Sequence, residues 1–135
     1  MSEHSIDVIF CDDIRHESTG KVTFVGTYTS GILTAGFPTT LAKLGVAIRL
    51  RSSSDNLIET LAVRILFDDI VLKEWEPPED DPPLSAPEGD IVYTQCYFLL
   101  SPVKIEQPGN LKVKVTINGE EIDYPNFPIE LHDPS

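Results

Sequence analysis

Between residues 111 and 117 apolar and polar side chains alternate without a break. Leu111, Val113, Val115 and Ile117 fall on one side, and Lys112, Lys114 and Thr116 on the other. A period of two sends successive side chains to opposite faces of a pleated backbone, so the stretch predicts a half-buried β-strand. Asn118-Gly119 follows it. These two residue types accept the positive φ that a two-residue hairpin requires, which predicts a return strand from Glu120 to Tyr124, closed by Pro125. The same period recurs along the chain. Ile6, Val8 and Phe10 share a side. So do Val22, Phe24, Gly26 and Tyr28, then Leu44, Val46, Ile48 and Leu50 (against Gly45, Ala47, Arg49 and Arg51), then Leu61, Val63, Ile65 and Phe67. β-Branched and aromatic residues fill these runs, as suits a pleated surface.

Connections between the runs carry their own chemistry. Asp68-Asp69 predicts a tight turn into a returning strand ending at Trp75, because an aspartate side chain bonds nearby backbone amides. Gln107-Pro108-Gly109-Asn110 is a second turn. Residues 91–100 hold no charge at all and read as a strand buried on both faces, hence central in a sheet. Phe127 to Leu131 predicts a last edge segment, since Pro128 cannot donate to a ladder. The sum is an all-β fold, an immunoglobulin-like β-sandwich of seven to nine mostly antiparallel strands, with a small barrel as the alternative. The 135 residues fit one domain spanning 1–135.

Charge narrows the function classes. Ten Lys and Arg face 22 Asp and Glu, a formal net charge of −12. Binding a phosphate backbone needs clustered cations, so no nucleic acid and no anionic membrane surface is expected as a partner. An unknown protein partner, itself basic, fits this charge, and so does a homo-dimer. The opening Met-Ser-Glu-His has no basic, apolar leader pattern, which predicts a cytoplasmic protein with Cys11 and Cys96 reduced and buried as small hydrophobes.

One segment departs from the rest. From Glu74 to Asp90 there are seven acids, five prolines and no Lys or Arg. Proline removes donors and fixes φ, so 76–90 predicts a long acidic, proline-rich loop. Glu76, Glu79, Asp80, Asp81 and Glu88 are its candidate partner-binding residues, against the ordinary reading of a solvated excursion.

Asp12, Asp13, His16 and Glu17 lie close together where the alternation breaks, over 12–19, in what reads as a short helical turn or an open loop. The cluster could collect oxygen ligands for a hard cation. The ordinary reading has these acids capping strand ends and pairing with Arg15 and Lys21. The three histidines have no zinc spacing, and no nucleophile–base set, nucleophile elbow or glycine-rich phosphate loop is present. No cofactor, no resident metal and no enzymatic activity is therefore expected. Arg49, Arg51 and Arg64 are expected to share one outer sheet face with Lys112 and Lys114, a small basic patch that can pair with another subunit's acids or, on the ordinary reading, with its own across the strands.

The opening Cys11-Asp12-Asp13-Ile14-Arg15-His16-Glu17, then Gly20-Lys21 and Gly26-Thr27-Tyr28, with Phe37-Pro38 after them, resembles an uncharacterised family of small bacterial and phage-associated proteins. The resemblance is closest over about residues 8–50. It implies a β-sandwich and supplies no activity; Cys11, Asp12, Asp13, Arg15, Glu17, Gly20 and Lys21 are its structural motif. The function expected is a non-catalytic binding or assembly module acting through protein–protein contacts. The alternatives are a phage-type acidic inhibitor or decoy of a basic host protein, and a divalent-cation-binding domain.

Overall fold

A computed structural model describes residues 4–53, 58–77 and 91–132. Twelve strands run through them: β1 (Ser5–His16), β2 (Val22–Tyr28), β3 (Ile32–Thr34), β4 (Thr39–Leu41), β5 (Leu44–Ser53), β6 (Leu61–Phe67), β7 (Ile70–Trp75), β8 (Ile91–Leu100), β9 (Val103–Ile105), β10 (Gly109–Ile117), β11 (Glu120–Asp123) and β12 (Phe127–Leu131). The protein is all-β, with more strands than the seven to nine expected. The excess is in three-residue pieces such as β3, β4 and β9, too short to show a period in sequence.

Two larger sheets carry the fold. One has the order β2-β1-β5-β8, and the other β3-β12-β10-β6-β7 with β11 also on β10; β4 and β9 pair separately. Among the described residues all pairings are antiparallel except β12 with β3. The inner faces of β5, β6, β10 and of β1 as far as Phe10 are those the alternation assigned; β2 departs from it, since Val22 and Phe24, expected on one side with Tyr28, pack with Cys11, Ile14 and Ala47 while Tyr28 packs against the main core. Val8, Phe10, Leu44, Val46, Ile48 and Leu50 from the first sheet share one core with Val63, Ile65, Leu111, Val113, Val115 and Ile117 from the second. The Phe10 and Phe127 rings meet across the two sheets, 4.5 Å between centroids.

The hairpins form where their turn chemistry placed them. Asn118 and Gly119 sit at φ of 51° and 84° between β10 and β11, and Ile117 pairs with Glu120. Asp68, also at φ 51°, turns β6 into β7. Its carboxylate accepts the Asn110 N–H at 3.0 Å, and its own N–H donates to the Asn110 carbonyl at 2.9 Å.

Two further expectations fail. Residues 12–16 are neither helical turn nor open loop: β1 continues through them to His16, paired with β2. The charged residues hid a strand because its face changes. Cys11 and Ile14, three apart, pack together with Ala47, which a strict period of two forbids. The change falls at Asp12–Asp13, opposite Gly26 at φ 66°. The connection shrinks to a turn at Glu17–Gly20, where the Gly20 N–H reaches the Glu17 carbonyl at 3.1 Å and Gly20 takes φ 87°. Second, β8 is not central. Among the described residues it pairs only with β5 and ends the four-stranded sheet, with Tyr93 and Leu99 about half exposed. Absence of charge suits burial on two faces, but here it belongs to one buried face and one uncharged face left open.

Candidate functional site

Strand register assigns the outer face of the four-stranded sheet residue by residue. Ile9 pairs with Ala47, and Ala47 with Tyr97; Asp7 pairs with Arg49, and Arg49 with Gln95; Arg51 pairs with Tyr93, and Gly45 with Leu99. Alternation therefore puts Asp7, Ile9, Ala47, Arg49, Arg51, Tyr93, Gln95, Tyr97 and Leu99 on one surface. Phe24 of β2 joins it, its ring 6.2 Å from that of Tyr97, and the His16 ring meets Tyr97 edge-on at 5.5 Å. A depression of about 380 Å³ opens there, with Ile9, Phe24, Ala47, Arg49 and Tyr97 among its walls. The Tyr97 hydroxyl donates to the Gln95 side-chain carbonyl.

Two cations stand on this apolar face. The Arg49 guanidinium lies 4.0 Å from the centre of the Tyr93 ring, in the geometry of a cation–π contact worth about 0.5–1 kcal/mol at an exposed site. Neither Arg49 nor Arg51 has an ion pair among the described residues. The outer face of the other sheet is the reverse. There Arg64 binds Glu74 at 3.1 Å, and Lys114 binds Glu121 at 3.4 Å and Asp123 at 3.7 Å. Arg64 pairs with Lys114 across β6 and β10. The expected single basic patch thus divides: Arg49 and Arg51 belong to one sheet, while Arg64, Lys112 and Lys114 belong to the other. No sequence rule could assign the arginine pair and the arginine–lysine group to different sheets, because each sheet draws on strands distant in the chain.

The opening motif comes together as framework. Gly26 has no side chain where the Asp12 carboxylate lies; a Cβ there would collide with it. Tyr28, two residues on, donates its hydroxyl to Asp12 Oδ1 at 2.5 Å. Gly45 is cleared in the same way for Cys11, whose Sγ would be 2.7 Å from an added Cβ. Asp13 accepts the Ile14 N–H at 2.9 Å and faces Arg15 at 3.6 Å and Lys43 at 3.9 Å. Glu17 turns elsewhere, accepting the Thr23 hydroxyl at 3.1 Å, and its N–H donates to the Lys21 carbonyl at 2.8 Å. Asp12, Asp13 and Glu17 therefore diverge onto separate partners. Among the described residues no group of three His, Cys, Asp or Glu is placed to hold a metal ion. Of the acidic segment, Glu76 follows β7 directly; Glu79, Asp80, Asp81 and Glu88 lie outside the described residues.

Tyr28 and Cys11 of this framework, with Cys96 of β8, set a pH response in the alkaline range. Burial, then the hydrogen bond to Asp12 and the charge of Asp12, push the Tyr28 phenol from its ordinary 10.0 up to about 12. Burial pushes the Cys96 thiol from 9.0 up to about 11, and the Cys11 thiol is also raised, chiefly by burial. The folded state holds these protons where the unfolded chain has released them. Their contribution to stability is complete below the unfolded values and is lost as pH rises through the folded ones. Denaturant titrations should show stability falling from about pH 9 to about pH 12, with a shallower fall in Tyr28→Phe. Equal slopes for the two proteins would remove Tyr28 from the account.

The fold is thus an all-β framework with one outer face of paired charges and one outer face of aromatic and aliphatic residues around two arginines without ion pairs among the described residues. The chain belongs to DUF6941, a family of unknown function, whose model matches residues 7–130. None of the curated proteins matches this sequence. Among the described residues no helix is long and apolar enough to cross a membrane.

Tyr93, Tyr97, Leu99 and their neighbour Arg49 were not singled out together in sequence. A signal existed: Tyr-x-Gln-x-Tyr-x-Leu alternates with Thr-x-Cys-x-Phe-x-Leu over 93–100. Both sets are uncharged, so polarity alone did not separate an exposed face from a buried one.

Proposed function

We propose that this chain is a non-catalytic binding or assembly module that engages another protein through the outer face of its four-stranded sheet. The contrast between the two outer faces carries the reading. One closes its charges on itself through Arg64–Glu74 and Lys114–Glu121. The other presents Ile9, Tyr93, Tyr97 and Leu99 with two arginines that make no ion pair among the described residues, Asp7 standing across the ladder from Arg49. Aromatic residues and arginine are the types enriched at the buried centres of protein interfaces. Two packed sheets with a shared core support the finer reading of the fold as an immunoglobulin-like sandwich, a scaffold whose faces and edges are commonly used for recognition.

Affinity purification from the native host tests this against the acidic segment 76–90. The full chain, an Ile9→Glu/Leu99→Glu variant and a chain lacking 78–90 are compared. The face variant is expected to lose the captured partner and the deletion to keep it. The opposite result would move the role to the acidic segment.

A further inference from the structure

Every open sheet needs something at its edges, because an outer strand presents unpaired backbone donors and acceptors. Three of the described edges here are guarded. β3 has three residues. β7 carries the adjacent charges Lys73 and Glu74 and pairs with β6 through an irregular register at Ile65/Leu66. β2 is interrupted by Gly26 at φ 66°, opposite the face change of β1. β8 has none of these devices. It is ten residues long and holds no charge, no proline and no glycine, and its pairing with β5 runs without a shift from Leu44↔Leu100 to Ser53↔Ile91.

Space lies along that edge. A cleft of about 470 Å³ is lined by the consecutive residues Gln95 to Leu100, with Lys73 and Trp75 of β7 on its far side. Successive residues of a strand point to opposite faces, so a cleft touching all of them in turn runs along the strand's side rather than over one face.

We propose that β8 pairs antiparallel with β8 of a second copy of this chain across a two-fold axis, joining the two four-stranded sheets into one. The seam rests on the assembly reading above and names one of its partners. Lack of charge is what suits this strand to meet itself. Across a two-fold axis identical residues near the centre face one another, so any charged residue there would oppose its own copy. Each copy carries −12, and an uncharged strand lets two such molecules touch without setting like charges against each other at the seam. The outward residues Tyr93, Gln95, Tyr97 and Leu99 would extend one apolar outer face across both copies.

Sedimentation of the purified full-length chain over a wide concentration range is the test, read beside hydrogen exchange of the β8 amides. The expected result is a monomer–dimer equilibrium in which protection of 93–99 rises with concentration. Added salt should strengthen it, since it screens repulsion between two acidic molecules over about 10 Å at 0.1 M. Tyr93→Lys/Leu99→Lys changes two half-exposed side chains and should weaken association about tenfold or more, by setting charge along the seam. Ile70→Lys, on the exposed β7 edge, should leave it unchanged. A chain that sediments as a monomer throughout, or whose β8 protection is independent of concentration, overturns the proposal; so does a dimer that salt dissolves or that Ile70→Lys disrupts as strongly. A monomeric wild type would leave the partner captured from the host as a separate result, so failure of the seam and failure of the binding reading are distinguishable.

Discussion

Replacing Phe10 with alanine is expected to lower folding stability by about 3–5 kcal/mol, the usual cost of deleting a buried phenylalanine side chain. Phe10 is 1% exposed and belongs to β1, in the middle of the four-stranded sheet. Its ring stands 4.5 Å from that of Phe127 at 34°, and Phe127 belongs to β12 in the other sheet. Truncation removes apolar contact on both sheets at once and leaves a cavity that neither can close alone, because each backbone is fixed by its own ladder. The ring pair adds about 0.5–1.5 kcal/mol beyond area. Urea unfolding followed by the fluorescence of Trp75, which packs edge-on against Phe98 in the same core, reads the loss. Ile9→Ala, one residue away but on the outer face, is the contrast and should cost well under half as much. Equal losses at the two positions would mean that the alternation does not separate an inner from an outer face.

Asn118→Gly should cost about 0.5–1.5 kcal/mol even though it preserves the hairpin turn, the bonds it removes being exposed ones that water can partly replace. Glycine adopts φ 51° without strain, so the backbone between β10 and β11 is kept. What disappears is the side-chain oxygen, which accepts the N–H groups of Glu59 at 2.7 Å and Thr60 at 3.0 Å. Those donors lie far away in sequence, just before β6. The Asn118 N–H also donates to the Thr60 carbonyl at 3.0 Å, and that bond survives the substitution. Asn118→Asp keeps an acceptor and should fall between wild type and Asn118→Gly. Hydrogen exchange at Glu59 and Thr60 localises the effect: both amides should lose protection in the glycine variant. A glycine variant as stable as wild type would leave Asn118 as a turn residue only.

Asn118-Gly119 shows how far a local signal reaches. The dipeptide predicted the turn correctly, since the φ it permits is a property of two residues. That the asparagine also fastens the approach to β6 depends on β6 pairing with β10, a long-range event no dipeptide encodes. The motif around Asp12 is the opposite case. Its residues were visible, but their charge hid a strand. Only the ladder shows that Gly26 leaves the Asp12 carboxylate room and that Tyr28 donates to it.

Spacing along the chain was enough to determine the all-β class, the inner faces of β5, β6, β10 and of β1 as far as Phe10, and the turns at Asp68 and Asn118, because a period of two and a positive φ are local properties. Which strand ends a sheet, and which outer face closes its own charges, was decided only in three dimensions. β8 reads as apolar on both sides whether it lies at the centre or the edge, and Arg49 and Arg64 look alike until their strands join different sheets. Neighbourhood in a sheet is fixed by pairing between distant segments, and side-chain chemistry on one strand carries no record of how many neighbours that strand will have.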